Sequence, residues 1–371
     1  MNRIREIQKY GQSIWLDYIR RDMLVNGGLK KLIEEDGITG VTSNPTIFEK
    51  AITGSTDYDE ALMRLLAEEP RADAKSLFER LAVEDIRMAC DILSSVYEET
   101  GGVDGYVSME VSPHLARDTD ATIDEVRRLR QVVGRPNLMV KIPATQEGIP
   151  AMEALISEGI NINATLMFSL AHYDAVSNAY ISGLERCADP NQVASVASFF
   201  VSRVDTAVDR VLEDMGTPDA LALRGKIAIA NAKMAYQRFH EVFSEELFSV
   251  LQQNGARLQR VLWGSTGTKN PAYSDVYYVE ELIGPDTVNT VPPATLDAFR
   301  DHGRAKDTLN KGAEKAEKQV HELRRLGIDL DGITERLQVE GLNAFTKSYD
   351  QLLASLEEKG RRIEASSSKP R

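Results

Sequence analysis

One lysine in the middle of an apolar run is the first residue of this chain that could do chemistry. In LMVKIPAT, strand alternation puts Leu138, Val140 and Ile142 on one face and Met139, Lys141 and Pro143 on the other. An ammonium there is costly unless it is paired or loses its proton. Standing alone, Lys141 reads equally well as an edge-strand lysine whose head snorkels to water. Other runs repeat the pattern, however. GYVSMEVSP sets Ser108 and Glu110 opposite Val107, Met109 and Val111. NINATLMFS sets Asn161, Asn163 and Thr165 opposite Ile162, Ala164, Leu166 and Phe168. Asp17 ends a face shared with Trp15, and Asn44 shares one with Thr42.

A lysine beside acids in a dehydrated pocket suggests one reaction type. A neutral amine attacks a ketone to form a Schiff base, and the protonated imine is an electron sink that lets a neighbouring C–C bond break. That route needs an acid to expel the carbinolamine water. It also needs a base for the hydroxyl whose carbon becomes an aldehyde. Glu110 and Asp17 are suitable candidates, Asn44 and Asn163 could hold substrate hydroxyls, and Thr165 could hold a water.

These residues need strands whose polar ends converge. Strand-like runs fall at Ser13–Ile19, Gly37–Asn44, Tyr106–Val111, Leu138–Ile142, Ile162–Phe168, Val196–Val201, Leu258–Gly264 and Asp286–Val291. Helical periodicity lies between most of them, as at Leu77–Tyr97, Ile123–Val133, Pro150–Ile156 and Ile227–Leu251. The alternation predicts βαβ units and a parallel sheet. An open sheet covered on both faces would read as nearly continuous apolar runs. A (β/α)8 TIM barrel instead has an inward face and an active site at the strands' C-terminal ends, in roughly 250 residues plus insertions. The expected class is therefore α/β, a (β/α)8 TIM barrel with additional helices and a C-terminal helical extension. Insertions are expected around Asp57–Asp73 and in the charged stretch Arg304–Leu326. The helical pattern Ile333–Leu356 should pack over the barrel. A single domain over 1–358 and a solvated tail over Lys359–Arg371 complete the reading.

Composition excludes several function classes. The chain has 371 residues, with 57 acidic side chains against 44 Lys plus Arg, a formal net charge of −13. That excess argues against a nucleic-acid binder, which presents a basic face. An anionic ligand must be held by a few placed cations. No apolar run approaches the roughly 18 residues of a membrane span, and the charged amino terminus lacks a signal-peptide core. Cys90 and Cys187 form no C-x-x-C pair, and the five histidines show no ligand spacing, so a cytoplasmic protein with neither metal nor disulfide is expected. Gly267–Asn270 lacks the G-K-[ST] of a phosphate loop, and Asp329, Asp331 and Gly332 lack the remaining EF-hand spacing.

At the candidate site the sequence resembles transaldolase. The resemblance is carried by WLDYIRRDML, GITGVTSNPTIFEKAI, SMEVSP, MVKIPAT, ININATLMFS and SFFVSRVD, clear from Ile14 to Asp205 and looser to Pro293. It implies a (β/α)8 barrel using a lysine Schiff base without cofactor or metal. The implied reaction moves a dihydroxyacetone unit from sedoheptulose 7-phosphate to glyceraldehyde 3-phosphate, giving erythrose 4-phosphate and fructose 6-phosphate. By resemblance Lys141 is the Schiff-base lysine, Glu110 the acid acting through a water, and Thr165 the residue that positions that water. Asp17 matches the acid/base at the C4 hydroxyl, and Asn44 and Asn163 match hydroxyl ligands. Ser198 and Arg203 match phosphate ligands and Phe200 a pocket phenylalanine. Strict alternation from Ser198 would turn Arg203 away, so the strand should end near Val201 with Arg203 reaching back from the loop. In VLWGSTGTKNP, where the family commonly has an arginine, the second phosphate cation is Lys269.

Three other readings compete. A related class I aldolase would release the triose free, a metal-free sugar-phosphate isomerase would not need Lys141, and a scaffold would use the charged C-terminal helices. Glu110 with Phe200 favours the transferase. Sugar phosphates are the expected partners. A homodimer stays open, because helical faces covering a barrel and faces joining subunits read alike.

Overall fold

Eight short parallel strands close into a barrel in the computed structural model of the protein, which describes residues 2–367. They are β1 (Gln12–Leu16), β2 (Gly40–Thr42), β3 (Tyr106–Glu110), β4 (Leu138–Pro143), β5 (Ile162–Met167), β6 (Ser195–Phe200), β7 (Arg260–Gly264) and β8 (Thr287–Val291). Each pairs with its sequence neighbours, and β1 with β8 closes the ring. All eight expected strands are present, several shorter than the apolar patterns that signalled them.

The helices start and stop where local chemistry dictates. Asn44 ends its extended stretch by accepting from the Ile47 amide, and Pro45 opens the helix Pro45–Thr53. Asp118 caps Thr119–Val133, and Ser169 caps Leu170–Glu185. The long pattern Ile227–Leu251 is two helices, Ile227–Val242 and Glu245–Gln253. Of the expected insertions, the first contains the helix Asp59–Glu68, and only Ala313–Arg325 of the second is helical.

Outward-facing strand residues join the main core against the helices. Inside the barrel, Trp15, Tyr106, Met139, Val196, Leu262 and Val288 form a separate apolar cluster. β2 reaches this cluster only because residue 40 is glycine: a Cβ there would lie 2.5 Å from Cδ2 of Trp15. Below the cluster, Asp104 accepts from the Trp15 indole at 2.9 Å and the Ser13 hydroxyl at 2.6 Å, and pairs with Arg260 at 3.0 Å. These residues fill the lower part of the barrel, and a larger cavity lies at its C-terminal end than at its N-terminal end.

One strand departs from simple alternation. The β5–β6 register shifts between Ala164 and Met167, and Leu166 is fully buried with φ 58°. A bulky residue in this left-handed region costs ~1–2 kcal/mol and persists only where its surroundings hold it.

The C-terminal helix runs from Leu330 to Ser367 and buries Leu337, Leu342, Phe345, Tyr349, Leu352 and Leu356. It corrects the expectation of a tail from Lys359, because the ammonium of Lys359 donates to the carbonyls of Ile52 and Ser55. Those bonds dock the helix at Lys359 onto the end of the helix Pro45–Thr53. Residues 368–371 of the expected tail lie outside the described residues.

Candidate active site

Above the apolar plug the inward positions turn polar. Glu110 and Lys141 are register partners on β3 and β4, and Lys141 and Asn163 are register partners on β4 and β5. Neighbouring strands lie ~5 Å apart, so this pairing makes side-chain contact unavoidable. The Lys141 amine is 3.5 Å from Oε2 of Glu110, with the two side chains 6% and 2% exposed. It also donates to the Ser43 carbonyl at 3.1 Å. Both Glu110 oxygens and the Thr165 hydroxyl are buried without a hydrogen-bond partner in the protein. Buried polar atoms are rarely left so unless they serve a ligand or water.

Burial raises the Glu110 carboxyl, opposed by Lys141 and reinforced by the negative charge of Asp17. Asp17 follows β1, its amide donating to Val291 O at 2.9 Å. Burial raises its carboxyl too, while Lys141, a hydrogen bond from Thr42 and Arg203 pull the other way. That bond is 2.7 Å long, and the Thr42 hydroxyl is also 2.6 Å from that of Thr290.

Asp17, Asn44, Lys141, Thr165, Ser198, Phe200, Arg203 and Lys269 line one cavity of about 540 Å³ at the C-terminal mouth. This volume suits a small polar metabolite. Lys141 lies at its inner end and Lys269 on its exposed rim. Glu110 does not line it but sits behind Lys141. Asn163 is also beneath the surface, donating to Ser108 Oγ at 3.0 Å and accepting from Ser198 Oγ at 2.6 Å. Its polar atoms are engaged by protein, so here it supports Ser198. Asn44 spends its carbonyl oxygen on the helix cap at 3.0 Å and still lines the cavity.

β6 ends at Phe200, as the alternation argument required. Arg203 reaches the cavity from the first turn of the helix Ser202–Met215, which corrects the expectation of a loop. Its guanidinium lies 5.5 Å from the Phe200 ring centroid. Burial lowers its proton affinity, opposed by Asp17 and Glu340.

Sequence reasoning left out Thr290, Lys50, Ser265 and Phe345, which also line the cavity. Thr290 is signalled by the same inward alternation, two residues after Val288. Lys50 follows from Asn44 along one helix. Phe345 carries no local signal.

A buried amine beside a carboxyl at the C-terminal mouth of a closed barrel defines a class: barrel enzymes built for lysine-based carbonyl chemistry. The family model described as transaldolase/fructose-6-phosphate aldolase matches residues 14–356, and the chain belongs to that family. Among curated relatives, a transaldolase of Thiobacillus denitrificans is 49% identical over 360 residues, covering 96% of this chain and 100% of the relative. A transaldolase of Trichodesmium erythraeum is 45% identical, covering 98% of both chains. One of Mycolicibacterium smegmatis is 47% identical, covering 92% of this chain and 93% of its own length.

Proposed function

We propose that this enzyme transfers a dihydroxyacetone unit from sedoheptulose 7-phosphate to glyceraldehyde 3-phosphate through a Schiff base on Lys141. The observation that carries the reading is the buried Lys141 amine, 3.5 Å from Glu110, at the inner end of a cavity that also presents Arg203 and Lys269.

The Lys141 amine attacks the ketone carbon of the donor. Glu110, through a water held with Thr165, protonates the departing carbinolamine hydroxyl, and water leaves as the imine forms. Asp17 takes the proton of the C4 hydroxyl. The C3–C4 bond breaks, its electron pair moving towards the iminium nitrogen, and C4 leaves as the aldehyde of erythrose 4-phosphate. The enamine's C3 then attacks the aldehyde of glyceraldehyde 3-phosphate, Asp17 returns its proton to the new alkoxide, and hydrolysis frees fructose 6-phosphate. Burial raises both carboxyls, a direction that helps Glu110 hold the proton it gives to the carbinolamine hydroxyl, while Lys141 opposes the rise in each. Arg203 and Lys269 hold the phosphate by charge, and Ser198 joins them by turning its hydroxyl proton from Asn163 to a phosphate oxygen. Asn44 binds substrate hydroxyls, and Phe200 keeps water from the enamine. Sugar phosphates as substrates agree with a cytoplasmic location. Among the described residues no helix is long and apolar enough to cross a membrane.

Borohydride reduction with fructose 6-phosphate present, followed by peptide mass mapping, should find the triose on Lys141. No adduct, or an adduct on another lysine, would overturn the mechanism. Adding erythrose 4-phosphate separates the two activities in the family's name. Efficient sedoheptulose 7-phosphate formation is expected, whereas mainly free dihydroxyacetone would make the chain an aldolase.

A further inference from the structure

The C-terminal helix does more than cover the barrel. Four positions along one of its faces meet the end of β5 or the cavity. Glu335 pairs with His172 at 2.8 Å, and the other ring nitrogen of His172 accepts from the Phe168 amide at 3.3 Å. Gln338 donates its side-chain amide to Ala144 O at 2.8 Å and to Leu166 O at 3.1 Å. At Gly341 a Cβ would lie 2.9 Å from Leu166 Cδ2 and 3.2 Å from Arg203 Nη1. Phe345 forms part of the cavity wall.

Gln338 touches the backbone where it departs most from regular strand. Leu166 is the left-handed residue at the β5 irregularity, and Thr165, whose buried hydroxyl has no protein partner, directly precedes it. Ala144 follows β4, three residues after Lys141, and its amide donates to Thr165 O at 2.8 Å. The ends of β4 and β5 are thus joined twice, by their own backbone bond and by one side-chain amide from the distant helix. A strained turn keeps its shape only while its surroundings hold it, and the two amide hydrogens of Gln338 supply that restraint.

We propose that Gln338 is a positioning residue of this site: by holding the Ala144 and Leu166 carbonyls, it keeps the Thr165 hydroxyl aligned with Lys141 and Glu110. The inference rests on the role given to Thr165 above.

Gln338→Met, similar in length but without N–H donors, tests it. With fructose 6-phosphate and erythrose 4-phosphate, kcat should fall roughly 10- to 100-fold while KM moves by less than about threefold, as for a displaced catalytic group. Lys141 should still be trapped by borohydride. Combined with Thr165→Ala, the substitution should lower kcat no further than Thr165→Ala alone, because both remove one function. Should Gln338→Met fail to fold, Gln338→Asn draws the amide back by one methylene and carries the same comparison. Wild-type kcat in the Gln338 variant, a change confined to KM, or losses that multiply in the double variant would each overturn the proposal. Wild-type kcat in Thr165→Ala would remove it as well, while leaving the lysine mechanism intact. Loss of Lys141 trapping in the wild-type enzyme would instead strike the proposed function itself.

Discussion

Lys141 and Glu110 were legible because a strand's period of two leaves few places for an inward charge, and their parallel register makes the two adjacent. What the alternation did not reveal is how Asp17 is tuned. Burial raises its carboxyl, and the Thr42 hydrogen bond is among the forces acting the other way. Thr42→Val removes that bond, so the Asp17 pKa should rise further. In the proposed role of C4 base Asp17 must be ionised, so the acid limb of kcat/KM against pH should move to higher pH. An unmoved limb would separate Asp17 from that step. Asn163 taught the opposite lesson: its inward position was readable, but only the structure shows its amide engaged by Ser108 and Ser198.

At the scale of elements, strand alternation and helical periodicity placed the strands and several of the helices, while irregularities stayed hidden. The break in β5 at Leu166 carries no glycine or proline to announce it. Arg203 was expected from a loop because β6 had to end, but helical geometry begins at Ser202 and carries the guanidinium back to the mouth. The approach of β2 to β1 makes a sharper prediction. A methyl at residue 40 would collide with the Trp15 ring, so Gly40→Ala should lose ~1–3 kcal/mol of stability in denaturant unfolding. On a Trp15→Phe background the loss should shrink, since the two residues share one space. An equal loss in both backgrounds would show that the strain lies elsewhere.

For the molecule as a whole, a charge of −13 opposes the approach of sugar phosphates, so a few cations must create local attraction. Lys269, exposed at the rim, should act mainly in binding. Lys269→Ala should raise KM for fructose 6-phosphate with little change in kcat, and the wild-type KM should itself rise with ionic strength as the attraction is screened. An unchanged KM would remove Lys269 from the site. The inward polar set was readable from the residues because alternation is a local period that any strand must obey, and eight such strands with one polar face pointed to a barrel. Only the packed molecule shows that Glu110 stands behind Lys141, that Asn163 braces Ser198, that Gln338 holds the Ala144 and Leu166 carbonyls, and that Phe345 lines the mouth. Those contacts bring together residues far apart in the chain, and such closures depend on how the whole barrel packs rather than on any periodicity written nearby.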